Sequence, residues 1–148
     1  MDKKEMLNLA QWAMGEAGKN GANESAVSIV REKETKLEFR DKQLDNLHEA
    51  TKCSLGIQIY ANKKYSSHST NDLKKESLKK FIADAAAATK FLAEDKYRSL
   101  PEAKYYPKNL DLDLKIRDAS YEKVKTSDRK EVAASIAQAA MAQGDKII

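Results

Sequence analysis

The sequence is poor in the residues that build disulfide frameworks, irregular loops and membrane spans. It holds one cysteine, two prolines and five glycines among 148 residues. A single cysteine cannot close an internal disulfide, which excludes the disulfide-stapled class of small secreted domains. No apolar run approaches the roughly 18 residues of a membrane-crossing helix. Aromatic residues make up only 7% of the chain, so aliphatic side chains must supply most of the core.

Charge is plentiful but nearly balanced. The 27 basic and 23 acidic residues give a formal net charge of +4, and the two signs are interspersed. Such an excess permits an acidic partner without indicating one. The start, M-D-K-K-E, lacks the apolar core of a signal peptide, so we expect a cytoplasmic protein.

The stretch Cys53 to Thr70 carries the clearest pattern. Alternate residues from Cys53 to Ala61 are apolar, which predicts a strand with one buried face. The polar break at residues 62–64 and the hydroxyl-rich residues 65–70 predict a turn and a second strand.

The residues before this hairpin suggest a helix and further strands. The apolar spacing predicts a helix over residues 2–18, ended by Gly18 and Gly21. Residues 24–39 contain two alternating runs joined by the polar link R-E-K-E-T-K, which favours a second hairpin of undefined loop geometry. Residues 40–51 fit either a third strand or an irregular crossing.

A second helix is expected from Asn71 to about Leu92, capped by Asn71 or Asp72. Its outer side carries Lys74, Lys75, Lys79 and Lys80. A run of this kind is usually a solvated helix face, and the alternative is a patch for nucleic acid.

The C-terminal third begins with a stretch of weak periodicity, residues 94–125, which we expect to cross the surface in extended form. A last helix is predicted from Thr126, with Asp128 and Glu131 as its capping box. We interpret residues 144–148 as the start of a truncated strand.

Two local clusters could carry chemistry, and neither is convincing. His48 and Cys53 have a faintly zincin-like spacing, but on a strand they point to opposite faces, so Cys53 is better interpreted as a small buried residue. His68 lies among serines and could serve a small hydrolase, but no orienting acid accompanies it. These residues predict neither a metal site nor a catalytic site.

Three segments together resemble a known family. They are L-E-F-R-D-K-Q-L-D-N-L-H-E-A-T-K-C-S-L-G-I-Q-I-Y with the following Y-S-S-H-S-T-N-D-L-K-K-E-S-L; A-A-A-A-T-K-F-L-A-E-D with Leu100-Pro101; and L-D-L-D-L with the Ala-rich helix and G-D-K-I-I. They are similar to the N-terminal domain of the TldD/PmbA family, metallopeptidase-related proteins also called modulators of DNA gyrase. The D-L-D-L segment and the S-S-H-S-T-N-D-L hairpin are closer to the PmbA (TldE) branch. Family members often have glycine in the hairpin turn, where this chain has Asn62-Lys63-Lys64-Tyr65.

The resemblance implies a longer protein with a further domain that this chain lacks. In the TldD branch an H-E-x-x-x-H motif in that later part holds zinc, whereas the PmbA branch lacks it. We therefore expect no cofactor in this chain, and zinc only in the full-length protein or its partner subunit. The resemblance also implies an unfolded peptide substrate, and a homodimer or a TldD-type heterodimer.

Our overall expectation is a single α+β domain over residues 1–148, with a mostly antiparallel sheet of four or five strands and helices packed on one face. It would wall a peptide cleft and support dimerisation without being catalytic alone. The alternative is a stand-alone binding module that uses the basic face Lys74–Lys80 for nucleic acid or protein. No membrane contact is expected. The candidate residues for peptide or partner contact are Tyr60, Lys64, Ser67, His68 and Thr70.

Overall fold

The computed structural model describes residues 1–40, 43–106, 114–116 and 118–144. These residues form three α-helices, three strands and two short 3-10 helices, at Ala103–Tyr105 and Ala119–Lys123. In chain order the main elements are α1 (Lys3–Lys19), β1 (Glu24–Arg40), β2 (Gln43–Ala61), β3 (Lys64–Thr70), α2 (Lys75–Thr89) and α3 (Thr126–Met141).

The three strands form one antiparallel sheet in the order β1-β2-β3. This confirms the α+β class, but the expected four or five strands are wrong for the described residues. The two runs assigned to residues 24–39 form the single strand β1, and most of residues 40–51 belong to β2. The link R-E-K-E-T-K contains no Gly, Pro, Asn or Asp, so it lacks the strongest turn-forming residues. It continues an uninterrupted strand, along which its charged side chains are exposed and Thr35 is partly buried.

The chain divides into two compact units, and β1 and β2 contribute residues to both. Unit 1 comprises Met1–Glu32 and Lys52–Pro107, and unit 2 comprises Lys33–Thr51 and Lys108–Ile148. The prediction of a single domain over residues 1–148 stays a prediction.

The core of unit 1 lies between the sheet and two helices. The side chains of Leu55, Ile57 and Ile59 on β2 are fully buried, as the alternation in the sequence predicts. Helices α1 and α2 cover this face, which confirms that helices pack on one side of the sheet. They contribute a shared set of small and aliphatic residues: Leu9, Ala13, Ala17, Leu78, Ile82, Ala85 and Ala86.

Helix α1 closely matches its predicted range. The Asp2 carboxylate accepts from the Glu5 N–H at 2.8 Å, and the Glu5 carboxylate accepts from the Asp2 N–H at 2.7 Å. This reciprocal capping box pairs two N–H groups that the first turn would otherwise leave without partners.

Helix α2 begins four residues later than predicted, at Lys75, and ends at Thr89. The predicted caps are wrong, because Lys74 is the N-cap residue and its side chain makes no capping hydrogen bond. Instead the Asp72 carboxylate accepts from the Lys74 N–H at 3.1 Å, which makes a turn ahead of the helix. A further hydrogen bond from Ser77 holds the pKa of Asp72 below its usual range.

Unit 2 packs with little burial. Helix α3 begins at Thr126 as predicted, but Asp128 is its third helical residue and accepts from the Lys125 N–H at 2.9 Å, so the predicted Asp128/Glu131 capping box is wrong. The Thr126 hydroxyl donates to the Glu49 carboxylate at 2.9 Å. No residue of α3 is buried among those described.

Several expectations fall on other parts of the chain. The D-L-D-L segment and most of the predicted strand at 144–148 lie outside the described residues. The predicted extended stretch, residues 94–125, contains the two 3-10 helices where it is described. None of the described helices has both the length and the apolar character needed to cross a bilayer.

The turn between β2 and β3 puts two non-glycine residues in the left-handed region. Asn62 has φ 50° and Lys63 has φ 62°. Positive φ at both central residues is the geometry of a type I′ hairpin turn, in which glycine is favoured at the second position. The turn therefore forms without the glycine that is frequent in the family which the sequence resembles. The left-handed conformation of Lys63 costs the folded state some stability.

We predict that Lys63→Gly stabilises the protein by roughly 1 kcal/mol, because a left-handed lysine is strained by about that amount. Thermal unfolding followed by circular dichroism measures the change. The control is Ser69→Gly on the exposed, extended part of β3, where glycine should destabilise by about 0.5–1 kcal/mol. A lower melting temperature for Lys63→Gly would contradict the assigned turn.

Candidate functional site

The register of β2 with β3 divides the five predicted contact residues between two faces of the sheet. Residues directly opposite one another in an antiparallel pair share a face. Lys64, His68 and Thr70 are paired with Ala61, Ile57 and Leu55, whose side chains point to the helices. Tyr60 and Ser67 share the opposite face, because Tyr60 pairs with Tyr65 and Ser67 with Gln58. We call this second side the open face.

The residues on the helix-covered side are used in packing. The His68 ring meets Phe81 edge-on at 6.3 Å between centroids, and its Nε2 is buried without a hydrogen-bond partner among the described residues. The Ser66 hydroxyl is hydrogen-bonded to that of Thr89 at 2.5 Å. Among the described residues, His68 Nε2 therefore has no hydrogen-bonded group to which it could pass a proton.

Lys64 ties β3 to the end of α2. Its ammonium donates to the carbonyl oxygen of Lys90 at 2.7 Å, at the C-cap of that helix. A cation there pairs with a carbonyl at the negative end of the helix dipole. Lys64 therefore acts as a structural link in this chain.

The structure does not bring together the faint metal candidate of the sequence, His48 with Cys53. His48 and Cys53 both lie on β2, five residues apart, so their side chains leave the strand on opposite faces. Within residues 1–40, 43–106, 114–116 and 118–144, no three His, Cys, Asp or Glu side chains gather as metal ligands do. Cys53 is half-buried rather than fully buried as expected.

The lysines around α2 are exposed, as expected of a solvated helix face. Lys74, Lys79 and Lys80 have exposed side chains, and the Lys75 ammonium lies 5.6 Å from the centre of the Trp12 ring. The positions of these lysines do not favour binding of a nucleic acid over simple exposure to solvent.

A groove beside the β2–β3 turn is lined by acidic, basic, amide and aromatic side chains. We call it the turn groove, and its volume is about 520 Å³. Its walls come from the start of β1, from the β2–β3 turn and from the segment after α2. The lining residues are Asn23, Glu24, Tyr60, Ala61, Asn62, Lys63, Asp95, Lys96, Arg98 and Ser99.

Backbone hydrogen bonds hold these segments together. The Asn23 side-chain oxygen accepts from the Asn62 N–H at 2.7 Å, and the Asn23 N–H donates to the Tyr60 carbonyl at 2.8 Å. The Asp95 N–H donates to the Lys63 carbonyl, also at 2.7 Å. These three bonds use main-chain groups and the Asn23 side chain, and none of them involves a charged side chain of the groove.

Two tyrosines and an arginine form a cluster of ring contacts in and beside this groove. The Tyr60 and Tyr65 rings lie 5.0 Å apart, and the Arg98 guanidinium lies 4.3 Å from the centre of the Tyr65 ring. The Tyr60 hydroxyl donates to the Gln58 side-chain oxygen at 3.3 Å. Burial raises the pKa of Tyr60, the charge of Tyr65 adds to the increase, and nearby Arg98 partly opposes it.

Of the five residues predicted from the sequence, the turn groove contains only Tyr60. The sequence reasoning missed Asn23, Asp95 and Arg98, because they come from segments without helical or strand periodicity, and it missed Glu24, which begins β1. The one available signal was the polar break at residues 62–64, which joins two of the segments.

Comparison with known proteins places this arrangement in a family. Residues 26–89 match the family model described as PmbA/TldA metallopeptidase domain 1. A solved protein of Bacteroides thetaiotaomicron VPI-5482, provisionally named a modulator of DNA gyrase, matches 100% of this chain at 34% identity, with a TM-score of 0.90. The chain belongs to the TldD/PmbA family, as its N-terminal domain.

A second solved structure shares the fold at lower identity. TldE from Thermococcus kodakarensis matches 95% of the chain with a TM-score of 0.68 and 18% identity. The chain covers 33% and 30% of these two relatives, so it spans about a third of their length. No curated protein gives a significant match. The resemblance to the TldD/PmbA family is confirmed, and the closer relation to the PmbA branch stays a prediction.

The raised pKa of Tyr60 predicts a change at high pH. The folded state holds this proton to higher pH than the unfolded chain does, so the associated stability is complete below the ordinary tyrosine pKa of about 10. It is lost as the pH rises through the raised value. Tyr60→Phe should therefore make the free energy of unfolding fall less steeply at high pH, and should remove the last portion of the tyrosinate absorbance rise.

The control is Tyr97→Phe, which removes a tyrosine that is 85% exposed. It should leave the last portion of the absorbance rise in place. If both variants give the same titration curve, burial does not raise the pKa of Tyr60 and the assignment is wrong.

Proposed function

We propose that this chain is the non-catalytic N-terminal wall of a peptide cleft in a TldD/PmbA-type metallopeptidase or peptide-maturation protein. The observation that carries the proposal is the position of β3 at an edge of the sheet, next to the turn groove. An edge strand carries backbone groups that can pair with an extended peptide, and such pairing accepts many sequences.

The composition of β3 suits this role. Ser67 and Ser69 are exposed, and neither side chain is bulky or charged. A neighbouring strand can therefore approach without displacing a large side chain. Helix α2 and the hydrogen bonds of Ser66 and Lys64 hold β3 in place from the covered face. Among the described residues no further strand pairs with the outer edge of β3, which supports the proposal that an extended substrate pairs there.

Hydrolysis is assigned to another part of the protein or to a partner chain. The H-E-x-x-x-H motif that holds zinc in the TldD branch has no counterpart in this sequence. In that branch the zinc would activate a water molecule for attack on a peptide carbonyl. The residues of this chain would bind and orient the peptide and perform no covalent step.

The second part of the proposal concerns a partner subunit of the same family, in a homodimer or a heterodimer. In unit 2, Val132 and Ile136 of α3 are 59% and 64% exposed and line an apolar groove of about 280 Å³ with Leu37. Apolar side chains in such a groove are typical of protein contact sites. They support the proposal that unit 2 contributes to dimerisation.

The cytoplasmic location expected from the sequence is part of the same proposal. The alternative, a stand-alone module that binds nucleic acid or protein through Lys74–Lys80, gains no support from the comparisons.

Hydrogen exchange of β3 tests the peptide wall. We predict that a saturating extended peptide, N-acetylated Ser-Thr-Val-Asp-Val-Thr-Ser, slows exchange at β3 amides by about tenfold at 90% occupancy, because a paired amide exchanges only when the peptide leaves. The measurement is exchange followed by mass spectrometry on the 148-residue chain.

The matched control ligand is the same peptide with both valines replaced by proline, which cannot continue a strand ladder. It should give no protection. Protection confined to β1, or none anywhere at saturation, would overturn the assignment of β3 as the wall.

A further inference from the structure

The charged side chains that line the turn groove differ in how far other groups of the protein already contact them. Its lining includes three cations, Lys63, Lys96 and Arg98, and two carboxylates, Glu24 and Asp95. The formal sum is +1. The sum alone is small, so the contacts of each group decide what the groove can bind.

Both carboxylates are engaged in holding the walls. The Glu24 carboxylate accepts from the Leu100 N–H at 3.2 Å, and the Asp95 carboxylate accepts from the Tyr97 N–H at 3.1 Å. Each of these backbone N–H donors occupies part of the hydrogen-bonding capacity of a carboxylate, so less of it remains for the cations of the groove. The acidic groups therefore act mainly as structural acceptors.

Arg98 is held only loosely by its acidic neighbour. Its Nε lies 3.6 Å from the Asp95 carboxylate, which is longer than the 2.7–2.9 Å of a strong charge-assisted hydrogen bond. That ion pair uses Nε, and the guanidinium carries further N–H donors on its two Nη atoms. Arg98 can therefore still offer donors to a second acceptor.

The Arg98 guanidinium also lies over the Tyr65 ring, with its carbon 4.3 Å from the ring centre. This contact restrains the side chain, and the planar fork of an arginine matches a carboxylate. Lys63 and Lys96 line the same groove and add positive charge to it, although the Lys96 ammonium also lies 4.9 Å from the centre of the Tyr97 ring. The combination favours an anionic group with two oxygens in one plane.

The groove also lies at one end of the proposed peptide wall. β3 starts at Lys64, directly after the turn that lines the groove. A peptide paired along β3 would bring its end, or a side chain near that end, to Arg98. The wall and the groove would then contact one extended ligand.

We propose that the turn groove binds a carboxylate of an extended peptide, with Arg98 as the principal contact and Lys63 and Lys96 as supporting charges. This inference rests on the proposed function, because it takes the peptide along β3 as the source of the carboxylate. The carboxylate can come from an acidic side chain or from the peptide C-terminus, and the two sources are separable.

Three N-acetylated peptides with an uncharged fluorescent label distinguish them. The first is Ser-Thr-Val-Asp-Val-Thr-Ser with an amidated C-terminus, the second has Asn in place of Asp and is also amidated, and the third has Asn and a free C-terminal carboxylate. Fluorescence anisotropy with the 148-residue chain at low ionic strength gives each dissociation constant.

We expect at least one carboxylate-bearing peptide to bind about tenfold tighter than the amidated Asn peptide, the scale of one charge-assisted contact. The peptide that shows the preference identifies the source. Arg98→Gln should abolish the preference. Arg98→Lys should keep part of it, because the charge remains while the planar fork is lost.

The matched control is Lys80→Gln, which removes one exposed positive charge on α2 outside the groove. It should leave the preference unchanged. Equal loss in Lys80→Gln and Arg98→Gln would show a general charge effect and overturn the groove assignment.

The outcomes also separate the two proposals. Equal affinity of all three peptides, together with protection of β3, would overturn the carboxylate site and leave the peptide wall intact. Failure of every peptide to bind or to protect β3 would overturn both. The Arg98 side chain is 52% exposed, so its variants should fold, and Trp12 fluorescence melting verifies this.

Discussion

The structure of unit 1 depends on burying one face of β2. Leu55, Ile57 and Ile59 have no exposed surface, and two helices are needed to cover them. Because the side chains of a strand alternate, this burial sends the intervening residues to the other side of the sheet. A shift of one residue in the β2–β3 pairing would exchange the two faces, so the apolar face fixes the register.

The proposed site inherits its geometry from that constraint. The same alternation that buries Ile59 puts Tyr60 on the open face, opposite Tyr65. The two covered positions of β3 that bond to α2 and its C-cap, Ser66 and Lys64, hold the strand against the helix. The proposed binding surface and the core therefore belong to one short hairpin, so a change in the core should also alter the proposed surface.

The sequence predicts elements with strong periodicity and fails where periodicity is absent. The alternation of residues 53–61 correctly gave a half-buried strand, and β3 followed from its neighbour. The link R-E-K-E-T-K was misassigned as a loop because polarity was taken as a turn signal, although none of the strongest turn-forming residues is present. Of the turn groove, Tyr60 was predictable from the strand. Arg98 and Asn23 were not, because hydrogen bonds between irregular segments bring them there.

The most direct test of the central claim, that burial of β2 organises unit 1, compares two truncations on the sheet. Ile57→Ala should lower the free energy of unfolding by about 2–5 kcal/mol, because it leaves a cavity under both helices. Val30→Ala, at a side chain that is 54% exposed, should change it by about 0.5 kcal/mol. Urea unfolding followed by Trp12 fluorescence reports both, since Trp12 packs against this core. Similar small losses in the two variants would contradict the account.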